Sequence, residues 1–265
     1  MPAKQIDEGQ SPDAVIRTVV AEDAEALAEE AARLMADRIA AAVSARGQAQ
    51  IILAGGQTPR PAYQMLAALI LEQRLPVDRL SWFLGDERWV SRDDPQSNEG
   101  MARECLLGQI RAPEASVHSW NAGEGDPVES ARRYDALVSG LIPDLAVLGL
   151  GADGHTASLF PGATARLPDG ARVPVGPGML SRAAAVEGAG SRGWRLTLCP
   201  VFLSTSRCIM FLVAGKDKAA ALQRARSGDP STPGAWIRGM ATHFIVTREA
   251  LGPERPDFGK TVRQT

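Results

Sequence analysis

Three short segments of this 265-residue chain combine glycine with side chains able to move protons or hold anions. The sharpest is Gly149-Leu150-Gly151-Ala152-Asp153-Gly154-His155-Thr156-Ala157-Ser158-Leu159-Phe160-Pro161-Gly162. Its histidine follows an apolar run, sits in a glycine-dense turn and has Asp153 two residues ahead of it. An aspartate so placed can fix the imidazole tautomer and support the charge gained with a proton, as a general base requires. A lone histidine is more often structural. His118, in a strand-like Val-His-Ser-Trp stretch, and His243, inside an apolar run, stand in less telling company.

The second segment is Ala54-Gly55-Gly56-Gln57-Thr58-Pro59. Glycines let a backbone approach a ligand closely, and the N–H groups that open a helix form an anion site, with the Thr58 hydroxyl beside them. The same residues read equally as a tight turn with no ligand. They match neither the nucleotide P-loop nor the dinucleotide glycine pattern, so no nucleotide is implied. The third segment, Gly85-Asp86-Glu87-Arg88-Trp89, puts three adjacent charges directly after an apolar run. Arg88 offers a planar donor fork to a carbonyl or phosphate oxygen, whereas Asp86 and Glu87 read equally as ties between loops. Downstream, Ser97 or Asn98 suits the N-cap of a helix. Neither His-Glu-x-x-His nor a carboxylate cluster supplies metal-ligand spacing, and no Gly-x-Ser-x-Gly elbow points to a serine acyl-enzyme. Metal assistance thus has little support.

The elements that must hold these segments alternate. Apolar runs at 50–54, 80–84, 144–150, 208–214 and 242–246 have the length and texture of strands buried on both faces. Between them, the spacing predicts helices over 61–73, 98–107, 127–141 and 216–226, with Pro61 suited to a first helical position. An earlier helix over 23–43 places Leu27, Ala31, Leu34, Met35, Ile39 and Val43 on one face. Such alternation predicts an α/β fold: a mostly parallel sheet with helices on both faces, binding ligands beyond the carboxyl ends of its strands. The stretch 162–194, rich in Gly, Ala, Arg and Pro, reads as loops with one short strand at 182–187. No repeat or linker divides the chain, so a single domain over 1–265 is expected, frayed at 1–20 and after Gly252.

Composition narrows the partners. Lys plus Arg number 29 against 31 Asp plus Glu, and no block of like charge forms a tail, which disfavours nucleic acid. No apolar run reaches the roughly 18 residues of a spanning helix, and the start lacks a signal-peptide pattern. Cys105, Cys199 and Cys208 lack C-x-x-C spacing and read as buried thiols in a reducing compartment. A soluble cytoplasmic protein, monomer or homodimer, is expected.

Taken in order, LAGGQTPRPAY at 53–63, FLGDERWV and DDPQSNEGMARE within 83–104, DLAVLGLGADGHTASLFPG at 144–162, RLTL at 195–198 and AGKDKAAAL at 214–222 resemble the 6-phosphogluconolactonase family. The resemblance covers about two thirds of the chain, and DGHTASLFPG is its most specific part. It implies a modified Rossmann-like sheet shared with sugar phosphate deaminases and isomerases. It also implies hydrolysis of 6-phospho-D-glucono-1,5-lactone in the pentose phosphate pathway, and no cofactor. His155 falls on the family's general base, supported by Asp153, and Arg88 on the arginine that stabilises negative charge. Gly55, Gly56, Gln57 and Thr58 fall on the phosphate loop, and Arg195 and Lys218 on the phosphate-holding cations. Asp86, Asn98, Gly154, Thr156 and Ser158 complete the implied substrate contacts. Gln57 stands where the family commonly has Ser. The run GAGSRGW at 188–194 replaces a proline-rich approach and makes Arg192 the alternative to Arg195.

Two other functions compete. A glucosamine-6-phosphate deaminase-like isomerase shares the GG-x-TP loop, the Asp-Glu pair and the Asp-Gly-His loop, but continues differently after the histidine, with an acidic partner where this chain has Thr156 to Phe160. A non-catalytic sugar phosphate sensor would bring a DNA-binding segment, and no helix-turn-helix region or basic arm is apparent.

Overall fold

The computed structural model describes residues 4–8, 15–188 and 193–252. In chain order its strands are β1 (Lys4–Glu8), β2 (Val15–Ala21), β3 (Ala49–Leu53), β4 (Leu80–Leu84), β5 (Asp86–Arg88), β6 (Val117–His118) and β7 (Leu145–Gly149). There follow β8 (Thr164–Arg166), β9 (Arg172–Pro174), β10 (Ala183–Glu187), β11 (Arg195–Leu198), β12 (Cys208–Val213) and β13 (Ala241–Thr247). The helices are α1 (Ala24–Arg46), α2 (Pro59–Glu72), α3 (Asn98–Ala102), α4 (Pro127–Leu137), α5 (Pro200–Leu203) and α6 (Ala219–Ser227).

Eight strands form the main sheet in the order β1-β2-β13-β12-β7-β3-β4-β6. Every neighbouring pair is parallel except β1 with β2. Burial explains the texture of the apolar runs: all six residues of Cys208–Val213 are buried, as a strand covered on both faces demands. From β3 the chain steps outward to β4 and β6, then returns to β7 on the other side of β3 and continues to β12 and β13. The switch point of this α/β sheet therefore lies between β3 and β7, where ligands of such folds bind.

The helix expected over 23–43 is α1. Asp23 caps it by accepting from the Ala26 N–H at 2.9 Å, and Gly47 closes it at φ 75°. Leu27, Met35 and Ile39 are buried on its inner face, each worth about 1.5–3 kcal/mol of removed apolar surface. Helix 98–107 begins as α3 and continues through a wider π-type turn over Arg103–Leu107. Among the described residues no helix is long and apolar enough to cross a membrane.

Three expectations need correction. Residues 15–21 are not frayed: β2 pairs in parallel with β13, from Val15 opposite Ala241 to Ala21 opposite Thr247. The stretch 162–194 holds three strands rather than one, because β8, β9 and β10 join β11 and β5 in a second, antiparallel sheet ordered β5-β11-β10-β8-β9. The Asp86–Arg88 segment is accordingly a strand of that sheet and not a loop. Gly85 is where the chain changes sheet: its N–H donates to the Leu53 carbonyl at 2.9 Å, and its carbonyl accepts from the Leu198 N–H at 2.8 Å. Residues after Gly252 and Arg192 lie outside the described residues.

His243, on β13, is buried with its Nε2 3.4 Å from the Arg38 guanidinium. Burial, with Arg38 and Arg17 nearby, pushes its pKa down to about 4 from an ordinary 6.5. The native protein thus refuses a proton that the unfolded chain accepts, so stability is full above about 6.5 and falls as pH drops towards 4. Urea unfolding at pH 7 and pH 5 should show a smaller loss for His243→Gln, which keeps an acceptor for Arg38, than for wild type. An equal loss in both would remove His243 as the source.

Candidate active site

The segments that follow β3, β4 and β7, with Lys218 beyond β12, enclose a cleft of about 230 Å³ at the switch point. Leu53 pairs with Leu84 and Gly149 with Leu212, so these strand ends open onto one edge of the sheet. Of the residues singled out by sequence, Gly55, Gly56, Gln57, Thr58, Asp86, Arg88, Asn98, His155, Thr156 and Lys218 line it. Asp153, Gly154, Ser158 and Arg195 are not among the lining residues, and Lys218 rather than Lys216 is.

His155 is held from its Nδ1 side. Asp153 Oδ1 lies 2.5 Å from Nδ1 and also accepts from the His155 main-chain N–H at 3.1 Å. Burial opposes the Asp153 charge, but the hydrogen bonds from the His155 backbone and ring outweigh it and hold the carboxyl below its ordinary value. The ring also meets Phe160, centroid to centroid at 4.8 Å, and about a third of the side chain remains exposed, enough for water to reach it. Gly151 makes this arrangement possible: a Cβ there would fall 2.1 Å from Nδ1 and 2.6 Å from Asp153 Oδ1. Behind the loop, the Gly154 carbonyl accepts from the Gly234 N–H at 3.1 Å, and buried Thr232 accepts from Arg224 Nε at 2.9 Å. Thr232 and Gly234 carry no motif and are found only through the fold.

Asp86 and Glu87 diverge although they are adjacent. Burial pushes the Asp86 carboxyl up, against the lowering pull of the Ser158 hydroxyl, which donates to Oδ2 at 2.7 Å, and of Arg88. Asn98 Nδ2 donates to the Asp86 carbonyl at 2.9 Å and to Oδ1 at 3.1 Å. Ser158, implied as a substrate contact, is buried and bonded to Asp86. Glu87 is committed to structure: its carboxylate accepts from the main-chain N–H groups of Arg88, Asn98 and Glu99 at 2.7–2.8 Å and from Ser97 Oγ at 3.1 Å. Burial raises its carboxyl as well. Ser97 is the N-cap of α3, accepting from the Gly100 N–H at 3.0 Å. Arg88 donates from its guanidinium to the Gln96 carbonyl.

The glycine loop packs directly on Asn98, whose amide occupies the space a Gly55 Cβ would need; that atom would sit 1.8 Å from Oδ1. Thr58 caps α2 with its backbone and makes no side-chain bond to the first turn. Lys218 Nζ stands 2.9 Å from Asp217 Oδ2. Arg195 lies opposite Arg88 in the β5–β11 pairing and adds to the positive potential at Asp86. Two buried atoms of the lining, Asn98 Oδ1 and Thr156 Oγ1, have no partner within the protein. Among the described residues no group of three or more His, Cys, Asp or Glu side chains is arranged to hold a metal ion. The cleft thus joins a histidine backed by a carboxylate, an arginine, a lysine and a helix-opening glycine loop.

Known proteins share this arrangement of elements. The chain is 38% identical over 205 residues to the 6-phosphogluconolactonase of Synechocystis sp., an alignment covering 74% of this chain and 79% of that protein. The solved 6-phosphogluconolactonase from Thermotoga maritima superposes with a TM-score of 0.74 at 27% identity, over 89% of this chain and 100% of that one. A monomeric glucosamine-6-phosphate deaminase matches with the same TM-score of 0.74 at 24% identity, over 88% of this chain and 98% of that one, a likeness of fold alone. The sequence pattern described as glucosamine-6-phosphate isomerases/6-phosphogluconolactonase matches residues 22–246, which takes in β3 to β12, all but the last residue of β13 and every cleft-lining residue, and this chain belongs to that family.

Proposed function

We propose that the protein hydrolyses 6-phospho-D-glucono-1,5-lactone to 6-phospho-D-gluconate, as a carboxylic ester hydrolase of the pentose phosphate pathway in the cytoplasm. The observation that carries this most is the His155–Asp153 pair facing a cleft whose other wall is the glycine loop at the start of α2 with Lys218. With Nδ1 engaged by Asp153, Nε2 is the nitrogen left to take a proton from water above the lactone carbonyl. The water oxygen bonds to C1 and the carbonyl electrons move onto oxygen, where Arg88 supplies positive charge. Asp153, held ionised, balances the imidazolium. Collapse of the intermediate re-forms C=O, breaks the bond from C1 to the ring oxygen and returns the proton from Nε2 to that oxygen. The new carboxylic acid then ionises and releases one proton.

The phosphate dianion fits the other wall. Backbone N–H groups of residues 55–58 and the opening of α2 favour negative charge, and Lys218 adds a full cation. Asn98 Oδ1 and Thr156 Oγ1, unpartnered within the protein, suit hydroxyls of the sugar ring. The fold is equally that of a deaminase, so the choice rests on the segment after His155, where Thr156 to Phe160 brings no acidic side chain.

Hydrolysis of freshly generated lactone, followed by proton release with the spontaneous rate subtracted, tests this directly, with ammonia release from glucosamine 6-phosphate measured in parallel. Rapid lactone opening without ammonia is expected; ammonia without lactone opening would overturn it. Lys218→Ala should raise KM for the lactone about tenfold, the worth of one charge-assisted hydrogen bond, and lower kcat less. An unchanged preference for phosphorylated over unphosphorylated lactone would take Lys218 out of phosphate recognition.

A further inference from the structure

Gly55 and Gly85 each follow the end of a parallel strand, where the ladder stops and the last backbone N–H and C=O still need partners. A tyrosine meets each. The Tyr63 hydroxyl accepts from the Ala54 N–H at 2.8 Å and donates to the Ala54 carbonyl at 3.0 Å. The Tyr134 hydroxyl accepts from the Leu84 N–H at 2.9 Å and lies 3.2 Å from the carbonyls of both Leu84 and His118. The Trp120 indole N–H adds a donor to the Leu84 carbonyl at 3.0 Å. The chain contains only these two tyrosines, both are buried, and they reach the two strand ends from different helices, α2 and α4. Phenylalanine would fill the same space, so packing alone does not call for the hydroxyls.

We infer that the hydroxyls of Tyr63 and Tyr134 are positioning groups, each fixing the exit of one strand and with it one half of the cleft. Tyr63 sets residues 55–58, and Tyr134 sets the arm bearing Asp86 and Arg88. The kinetic meaning of the two halves rests on the lactonase function proposed above. A hydroxyl that both accepts from and donates to one residue holds that peptide in two directions. Without Tyr63 the buried N–H and C=O of Ala54 both lose their partner, and without Tyr134 the buried Leu84 N–H loses its own while Trp120 still serves the Leu84 carbonyl; the strand end relieves the loss by shifting. Ala54 itself lines the cleft, and so does Gly85, the residue after Leu84, so the shift passes directly to the cleft.

The test is a pair of single-atom deletions. Tyr63→Phe should raise KM for the phosphorylated lactone about tenfold with kcat nearly unchanged, and Tyr134→Phe should lower kcat about tenfold with KM nearly unchanged. Ile39→Val, which loosens the core at α1 away from the cleft, should lose stability and move neither constant. Amide hydrogen exchange, read without substrate, should quicken over 54–58 in Tyr63→Phe and over 84–88 in Tyr134→Phe. Parallel changes of both constants in both variants, no change in either, or unaltered exchange in these segments would overturn the inference. Should wild type open no lactone, the proposed function fails, and the exchange measurement alone decides on the hydroxyls.

Discussion

His155→Ala should lower kcat about 100-fold or more, the usual contribution of a positioned general base, while KM changes little. The expectation follows from geometry: Nδ1 is taken by Asp153 at 2.5 Å, the ring is partly open to water, and no second histidine lines the cleft to replace it. His118 is stacked on Phe83 at 4.3 Å and His243 is tied to Arg38, both outside the lining. Stability should change little, because the His155 side chain is about a third exposed. Turnover close to wild type, after subtraction of spontaneous opening, would remove His155 from the role of base.

Gly151→Ala should be nearly as damaging, although position 151 carries no reactive group. The added methyl would fall 2.1 Å from Nδ1 and 2.2 Å from Cε1 of His155, and 2.6 Å from Asp153 Oδ1. All three are side-chain atoms of partly exposed residues, so the fold can yield by turning the ring aside at small cost in stability. Activity cannot yield so easily: displacing a catalytic group by about 1 Å can cost about 100-fold in rate. The expected result is therefore a thermal midpoint close to wild type with kcat reduced about 100-fold. Unimpaired turnover would mean that the productive ring position differs from the one held by Asp153.

The comparison of sequence with structure divides along contact range. The central strands are legible because each is a contiguous apolar run, and burial of all six residues of Cys208–Val213 is the reason for that texture. Helix α1 is legible from its apolar stripe and its Asp23 and Gly47 ends. The second sheet is not, since β8 and β9 are three residues long and half exposed in a Gly- and Pro-rich stretch, and β5 finds its partner β11 only when Arg88 meets Arg195, far along the chain. Strand β2 escapes notice because Arg17 and Thr18 interrupt its apolar character; its edge is defined by β13, more than 200 residues later.

The candidate site divides in the same way. Its reactive groups are visible as types: the Asp153–His155 pair, Arg88, Lys218 and the paired glycines all lie at strand ends on one side of the sheet. What each neighbour does is not visible. Asp86 and Glu87 read alike in sequence, each as a tie between loops or as part of the site, yet three main-chain N–H groups and a serine hydroxyl claim the Glu87 carboxylate alone. Ser158 is implied as a ligand contact by resemblance, and local spacing gives no sign that its hydroxyl donates to Asp86. Apart from the Arg88 N–H, these hydrogen bonds form across 10 residues or more of chain, to which local spacing is blind.

Several of the groups that hold the cleft in shape bond to main-chain atoms: Glu87 to the amides opening α3, Tyr63 to Ala54, Tyr134 to Leu84, and Gly234 to the Gly154 carbonyl. A main-chain atom is present whatever side chain the residue carries. The scaffold can therefore stay intact while the side chains facing the cleft are exchanged one at a time, which is a physical route by which one family can hold both glucosamine-6-phosphate isomerases and 6-phosphogluconolactonases.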